Sequence, residues 1–284
     1  MYDIINSNSH VNDIKDIVNG ITRELKIPDV KYVLHFKNPL NEMAAANGNG
    51  QTTCAVIMLN TLWTTDWSQL PTEYRVNDLK DPRLNQRNFY QGLSDHLAKA
   101  NCLKSRKISY IDIAIFRTFL RMRQDPTKAK LAFRSMIAHE LGHIHLNHCE
   151  KSEKFCNRAK IAIIVTSVAL SILTGIFTAP LILLVGFLFY KFLVLCNTKH
   201  HENQADRFAA QRMKDAADGA EYGFNCAKQG FSDMKKCKAL TRTEKLFTTF
   251  SVIKGNFLPL NFTHGTFGGR IRKMKKHSKA AFGG

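Results

Sequence analysis

Apolar residues at Val11, Ile14, Ile17, Val18, Ile21 and Leu25 recur at three- and four-residue spacing, which predicts an amphipathic helix that Pro28 ends. The pattern then changes. "VKYVLHF" (Val30 to Phe36) and "CAVIMLN" (Cys54 to Asn60) are short runs rich in β-formers, separated by the turn chemistry of "NGNG" (Asn47 to Gly50), so a small sheet is expected early in the chain. From Trp63 to Arg106 periodicity is lost among polar residues, Pro71 and Pro82, which predicts a long excursion with one or two short helices. "ISYIDIAIF" (Ile108 to Phe116) fits either a third strand or the start of a helix. Asp125 as an N-cap with Pro126 at the first helical position then opens a long helix through Leu131, Phe133, Met136 and Ile137 into "HELGHIHLNH" (His139 to His148).

The next segment, Ile161 to Cys196, is a long hydrophobic run with Lys191 as its only charge. A domain of this size rarely hides so long a run, so insertion into a lipid bilayer is expected. As one helix it would reach ~54 Å against a hydrocarbon core of ~30 Å, and a single crossing would strand the histidines and the polar segment after it on opposite sides. Two passes, Ile161 to Thr178 and Leu181 to Cys196 joined near Ala179 and Pro180, bring the chain back. Their lengths of ~27 and ~24 Å suit a spanning or a re-entrant hairpin. Residues 1–160 and 197–284 then form one discontinuous domain, with 161–196 inserted into it.

Charge sharpens this. With 41 Lys and Arg against 23 Asp and Glu the net charge is +18, so the surface attracts anionic lipid, nucleic acid or acidic protein. No nucleic-acid-binding motif accompanies the charge, and nucleic acid is not the expected partner. Lys151, Lys154, Arg158 and Lys160 precede the hairpin, Lys199 and Arg207 follow it, and its turn carries none. The positive-inside rule therefore puts the polar body on the cytosolic face. Seven scattered cysteines without a C-x-x-C pair fit a reducing compartment, and "MYDIINSNSH" lacks the pattern of a cleavable signal. "RIRKMKKHSK" (Arg270 to Lys279) adds basic residues that can meet acidic lipid headgroups.

His139 and His143, four residues apart on a helix, differ by about 40° around the axis and can converge on one ion. Glu140 can then reach a water beside them. On the same intact helix His145 and His148 turn away by about 240° and 180°, so they are expected to pack or face solvent. A three-histidine metzincin pattern is disfavoured, because Cys149 stands where the third His belongs and no Gly lies three residues after His143. In "HHENQADRFAAQRM" (His200 to Met213), Glu202 can complete a His-His-Glu site, and Asp206, one turn on, can accept the outer N–H of a ligating histidine.

Through "AHELGHIHLNH" (Ala138 to His148), "ENQADRFAA" (Glu202 to Ala210), "NEMAA" (Asn41 to Ala45) and "THGTFGGRI" (Thr263 to Ile271), the chain resembles the HtpX-like and CAAX prenyl protease-like membrane zinc endopeptidases. The resemblance implies an α+β fold: a mostly helical zincin-type domain with a small early sheet and an inserted hydrophobic hairpin. It implies one Zn²⁺ per chain on His139, His143 and Glu202, with Glu140 as general base and a protein or peptide substrate. It also implies that His264 stabilises the developing oxyanion and that Arg270 braces the acidic residues. The strand around Cys54 to Leu59, through Ala55, Val56 and Ile57, is expected to pair with an extended substrate, as edge strands do in peptide recognition. The competing reading is a membrane-anchored binding or scaffold protein whose metal site is structural or vestigial.

Overall fold

A single buried face organises the first helix, α1 (Ser9–Glu24), on which Ile14, Val18 and Ile21 are withdrawn from solvent together with the following Leu25. The computed structural model describes residues 9–27, 31–37, 44–47, 55–63, 65, 67–100, 104, 105, 107–175, 177–234, 237, 238, 240–246 and 266–283. Three strands follow α1: β1 (Tyr32–Lys37), β2 (Ala44–Asn47) and β3 (Ala55–Asn60). They form one sheet in the order β1-β3-β2, with β3 parallel to β1 and antiparallel to β2. The extra strand β2 reads "AAAN", without a β-branched or aromatic residue, and sequence pattern had no purchase on it.

This topology corrects the expectation for Ala55, Val56 and Ile57. Their strand is central, with backbone partners on both sides (Leu34 and Ala46 for Ile57), so it offers no edge to a substrate. Ala55, Ile57 and Leu59 instead point into the core with Ile21, Leu25, Ile137 and Leu141.

The excursion after β3 is a structured unit. Two 3₁₀ turns (Thr61–Trp63 and Pro82–Asn85) lead to α2 (Arg87–Ala100) and α3 (Tyr110–Met122). The ambiguous stretch from Ile108 is therefore helix, fixed by a capping box in which Ser109 and Asp112 satisfy each other's backbone N–H groups. Tyr90, Leu93, Ile113 and Phe116 build a second core there, and Trp63 joins it to the first by packing on both Phe119 and Phe133.

The remaining helices among the described residues are α4 (Pro126–His145), α5 (His148–Thr174), α6 (Ala179–Arg212), α7 (Ala216–Met234) and α8 (Phe267–Phe282). Asp125 caps α4 by accepting from the Lys128 backbone N–H, with Pro126 in the first turn. The fold is thus mostly helical α+β. Helices α5 and α6 pack on each other as a hairpin with exposed apolar side chains from Ile161 to Phe192, and both are long and apolar enough to cross a membrane.

Helix α8 lies beside α6 and runs the same way: Arg270 meets Asp206, and Ser278 reaches the Lys214 carbonyl. Since α6 leaves the hairpin in that direction, the cations from Lys273 to Lys279 sit at the end of the molecule away from the apolar hairpin. This placement, farther along α6 from the hairpin than Asp206, lends no support to the expected contact of the cluster with acidic headgroups.

Candidate metal centre

Three helices converge on the site. Helix α4 contributes His139, Glu140 and His143, α6 contributes Glu202 and Asp206, and α8 contributes Arg270. Gly142, in the middle of the histidine motif, makes the approach of α6 possible. A Cβ there would stand 3.2 Å from the Ala205 Cα, 3.3 Å from its carbonyl oxygen and 3.1 Å from the Phe208 ring.

The two imidazoles meet edge to face, with His139 Nε2 and His143 Nε2 3.1 Å apart. Glu202 lies across from both, 3.4 Å from each of these nitrogens through its two carboxylate oxygens. Ligand atoms ~2.0–2.1 Å from a tetrahedral ion stand ~3.3 Å from one another, so this spacing fits a divalent ion of zinc's size. The donor set of two imidazoles and one carboxylate fits it too.

Behind His139, Asp206 receives Nδ1 at 3.0 Å. Arg270 holds the same carboxylate by two bonds, Nε to Oδ2 at 2.7 Å and Nη2 to Oδ1 at 2.6 Å, and its Nη1 is 3.6 Å from Glu202. Burial opposes a proton on His139, yet its hydrogen bonds to Asp206 and Glu202 push its pKa up to about 10. Burial likewise opposes charge on Asp206, but His139 and Arg270 hold it well below the usual carboxylate range. Two carboxylates this close to the imidazole, Glu202 and Asp206, favour positive charge in the pocket. The Glu140 carboxyl is raised, chiefly by burial, with the two imidazoles pulling the other way.

His148 is where the intact-helix arithmetic fails. Helix α4 stops at His145, Asn147 takes a left-handed conformation (φ 55°), and α5 starts afresh at His148. The break turns His148 back, so that its Nδ1 is 2.9 Å from His143 Nδ1 and its Nε2 is 2.9 Å from Gln204 Oε1. Its ring stacks on His201 at 4.3 Å, and Ser152 ties His201 Nδ1 to Asn197. For His143 Nε2 to offer a lone pair to a metal, its Nδ1 carries the hydrogen and His148 Nδ1 accepts it. His148 then keeps its own hydrogen on Nε2 and donates it to Gln204. Asn147, a residue that tolerates the left-handed region, was the sequence signal for this turn. His145, by contrast, packs on Phe208.

The structure therefore brings His139, His143, Glu202, Asp206 and Arg270 together, with Glu140 beside them. Ala55, Val56 and Ile57 lie in the sheet, and His264 falls outside the described residues. A cavity of about 190 Å³ adjoins the centre on the hairpin side, lined by His143, His148, Cys149, Ser152, His201 and Glu202.

No curated protein and no solved structure gives a significant match. The sequence does match peptidase family M48 over residues 89–276, a span that runs from α2 to α8 and contains every residue of the centre. With a His-His-Glu cluster of this geometry inside a match covering well over half its length, the chain belongs to peptidase family M48, the HtpX- and CAAX-protease-like metalloproteases.

Proposed function

We propose that the protein is a membrane-anchored zinc endopeptidase with its catalytic body on the cytosolic face. The observation that carries this reading is the mutual spacing of His139 Nε2, His143 Nε2 and the Glu202 carboxylate, 3.1 to 3.4 Å, with a second carboxylate, Glu140, next to them on the helix. Zinc held by these three groups would supply Lewis acidity, making a water more acidic and polarising the scissile carbonyl.

The chain's own residues do the rest. Glu140, its carboxyl raised by burial, takes the proton from the attacking water and delivers it to the nitrogen of the departing amine. Asp206 accepts the Nδ1 hydrogen of His139 and so keeps Nε2 free for the metal, while Arg270 fixes Asp206 and balances the charge of Glu202. His264 is assigned the oxyanion-stabilising role by family resemblance. For the substrate backbone, β2 replaces β3, because among the described residues it lies at the sheet edge and packs beside α4. The domain arrangement follows: residues 1–160 and 197–284 form the peptidase, and 161–196 the inserted anchor.

The test is zinc stoichiometry and cleavage of an unfolded protein such as casein, in detergent, for the unsubstituted chain, Glu140→Gln and Glu202→Ala. One zinc per chain, cleavage lost in both variants, and zinc retained in Glu140→Gln but lost in Glu202→Ala is the expected result. Full zinc in Glu202→Ala would remove Glu202 as the third ligand. Zinc without Glu140-dependent cleavage would favour the scaffold.

A further inference from the structure

The hairpin of α5 and α6 is apolar enough to cross a membrane, but the register between its helices sets a shorter depth. Ser152 on α5 bonds to Asn197 (3.1 Å) and to His201 (3.0 Å), and toward the apex Gly186 lies against Ile163 and Ser167. Both contacts obey one antiparallel register. Stepping along the helices between them brings Lys160 level with Lys191, so the only cation inside the apolar run faces the last cation before it.

From that level to the apex is ~21 Å along α5 (Lys160 to Thr174) and ~18 Å along α6 (Lys191 to Ala179), against a hydrocarbon core of ~30 Å. Lys191 does not shorten the gap by reaching upward. Helical side chains lean toward their N-terminus, which for α6 is the apex, and the Lys191 ammonium sits 5.3 Å from the Phe187 ring centroid, one turn deeper. With that ammonium among headgroups, less than the full hairpin remains below it. The neighbouring Tyr190 suits the same interfacial level.

The apex is built for hydrocarbon rather than for a second headgroup layer. It carries no ionisable residue, and Phe177 at its tip is 97% exposed. Its hydroxyls are satisfied within the hairpin: Thr174 donates to the Leu170 carbonyl (2.7 Å) and Thr178 to the Gly175 carbonyl (2.8 Å). At the other end Lys151, Lys154, Arg158, Lys160, Lys191 and Lys199 outnumber Glu150, which pairs with Lys154, and Glu153, so this end is a net basic collar.

We infer that the hairpin enters one leaflet only: its apex ends near the bilayer midplane and the basic collar binds the anionic headgroups of the leaflet it entered. This rests on the membrane association stated above and adds its depth, its partner leaflet and the side from which it inserts.

The experiment uses the full chain bound to vesicles of phosphatidylcholine and phosphatidylserine. A tryptophan is introduced at the apex by Phe177→Trp or, in a second protein, by Leu173→Trp, and the signal of the native Trp63 and Trp67 is subtracted using the unsubstituted chain. Quenching by lipids brominated at different chain depths reads the position. Strongest quenching by bromines near the chain ends is expected in both. Strongest quenching by bromines next to the headgroup would place the apex at an interface and overturn the inference. Reversing the paired cations (Lys160→Glu with Lys191→Glu) is expected to weaken phosphatidylserine-dependent binding at least roughly fivefold per cation. Unchanged binding would refute the collar. Failure of the unsubstituted chain to bind vesicles would overturn the membrane association as well, whereas zinc content and casein cleavage judge the peptidase reading separately.

Discussion

At the scale of single residues, the centre depends on which nitrogen of each histidine carries hydrogen. Asp206 lies 3.0 Å from His139 Nδ1, a contact legible in the sequence because an acidic residue one helical turn after Glu202 can reach the outer face of that histidine. For His143 the partner is His148, and it was illegible for a physical reason: the arithmetic of a continuous helix sends His148 to the opposite side, and only the left-handed Asn147 brings it back. The tautomer chain from His143 through His148 to Gln204 makes a directional prediction. His148→Phe keeps a ring to stack on His201 but removes the acceptor, and the zinc dissociation constant is expected to rise ~10- to 100-fold, as for other outer-shell losses. Gln204→Glu keeps an acceptor for His148 Nε2–H and should stay near the unsubstituted affinity. Gln204→Lys can only donate and should lose affinity. Competition with a chromophoric chelator measures all three. Equal affinities across the series would reduce His148 to packing, and circular-dichroism melting separates a fold defect from a site defect.

At the scale of elements, what the sequence showed and hid follows from how each element earns its stability. Helix α1 carries apolar periodicity with a proline after its end, α4 an Asp-Pro start, and both were readable. Helix α3 was ambiguous by periodicity, although the Ser109-x-x-Asp112 capping box was present in its letters. Strand β2 is held by backbone pairing with β3, a long-range contact that "AAAN" does not advertise. The meeting of α4 and α6 is similarly non-local, and it turns on Gly142. In Gly142→Val the added branch meets Ala205 backbone, so α6 must retreat from α4 and take Glu202 with it. A loss of ~1–3 kcal/mol is expected from overpacking, together with reduced zinc content. Gly142→Ala, whose single Cβ needs shifts of a few tenths of an ångström, should retain most of both. Denaturant melts and metal analysis on the purified variants check this; full stability and zinc in Gly142→Val would show that α6 does not need this approach. In the sheet, Ile57→Ala should cost ~2–5 kcal/mol as a core cavity while leaving the Michaelis constant for a short peptide unchanged. A raised Michaelis constant without a stability loss would restore β3 as a substrate strand.

At the scale of the whole molecule, one helix links the bilayer to the chemistry. Helix α6 runs unbroken from the hairpin apex through Lys191 to Glu202 and on to Arg212, so the height of Glu202 above Lys191, the deepest cation of the collar, is set by helical rise. From Lys191 to Glu202 that height is ~16 Å, a distance that about five residues of extended chain can bridge. A peptide bond only a few residues from a membrane anchor is therefore presented at the height of the centre, and anchoring confines it to the surface on which the enzyme sits. The prediction concerns presentation, not sequence. A peptide that the enzyme cleaves in solution, attached to vesicles by an acyl chain through a flexible linker of about five to ten residues, should be cleaved ~10- to 100-fold faster by the vesicle-bound enzyme than the same peptide without its anchor, because the second encounter becomes effectively intramolecular. Shortening the linker to one or two residues should abolish the gain, since such a chain cannot span ~16 Å. A gain that is independent of linker length would mean that the centre lies at the headgroups, and that α6 does not hold it above the surface. Equal rates for anchored and free peptide would mean that the hairpin positions the enzyme without selecting what it cuts.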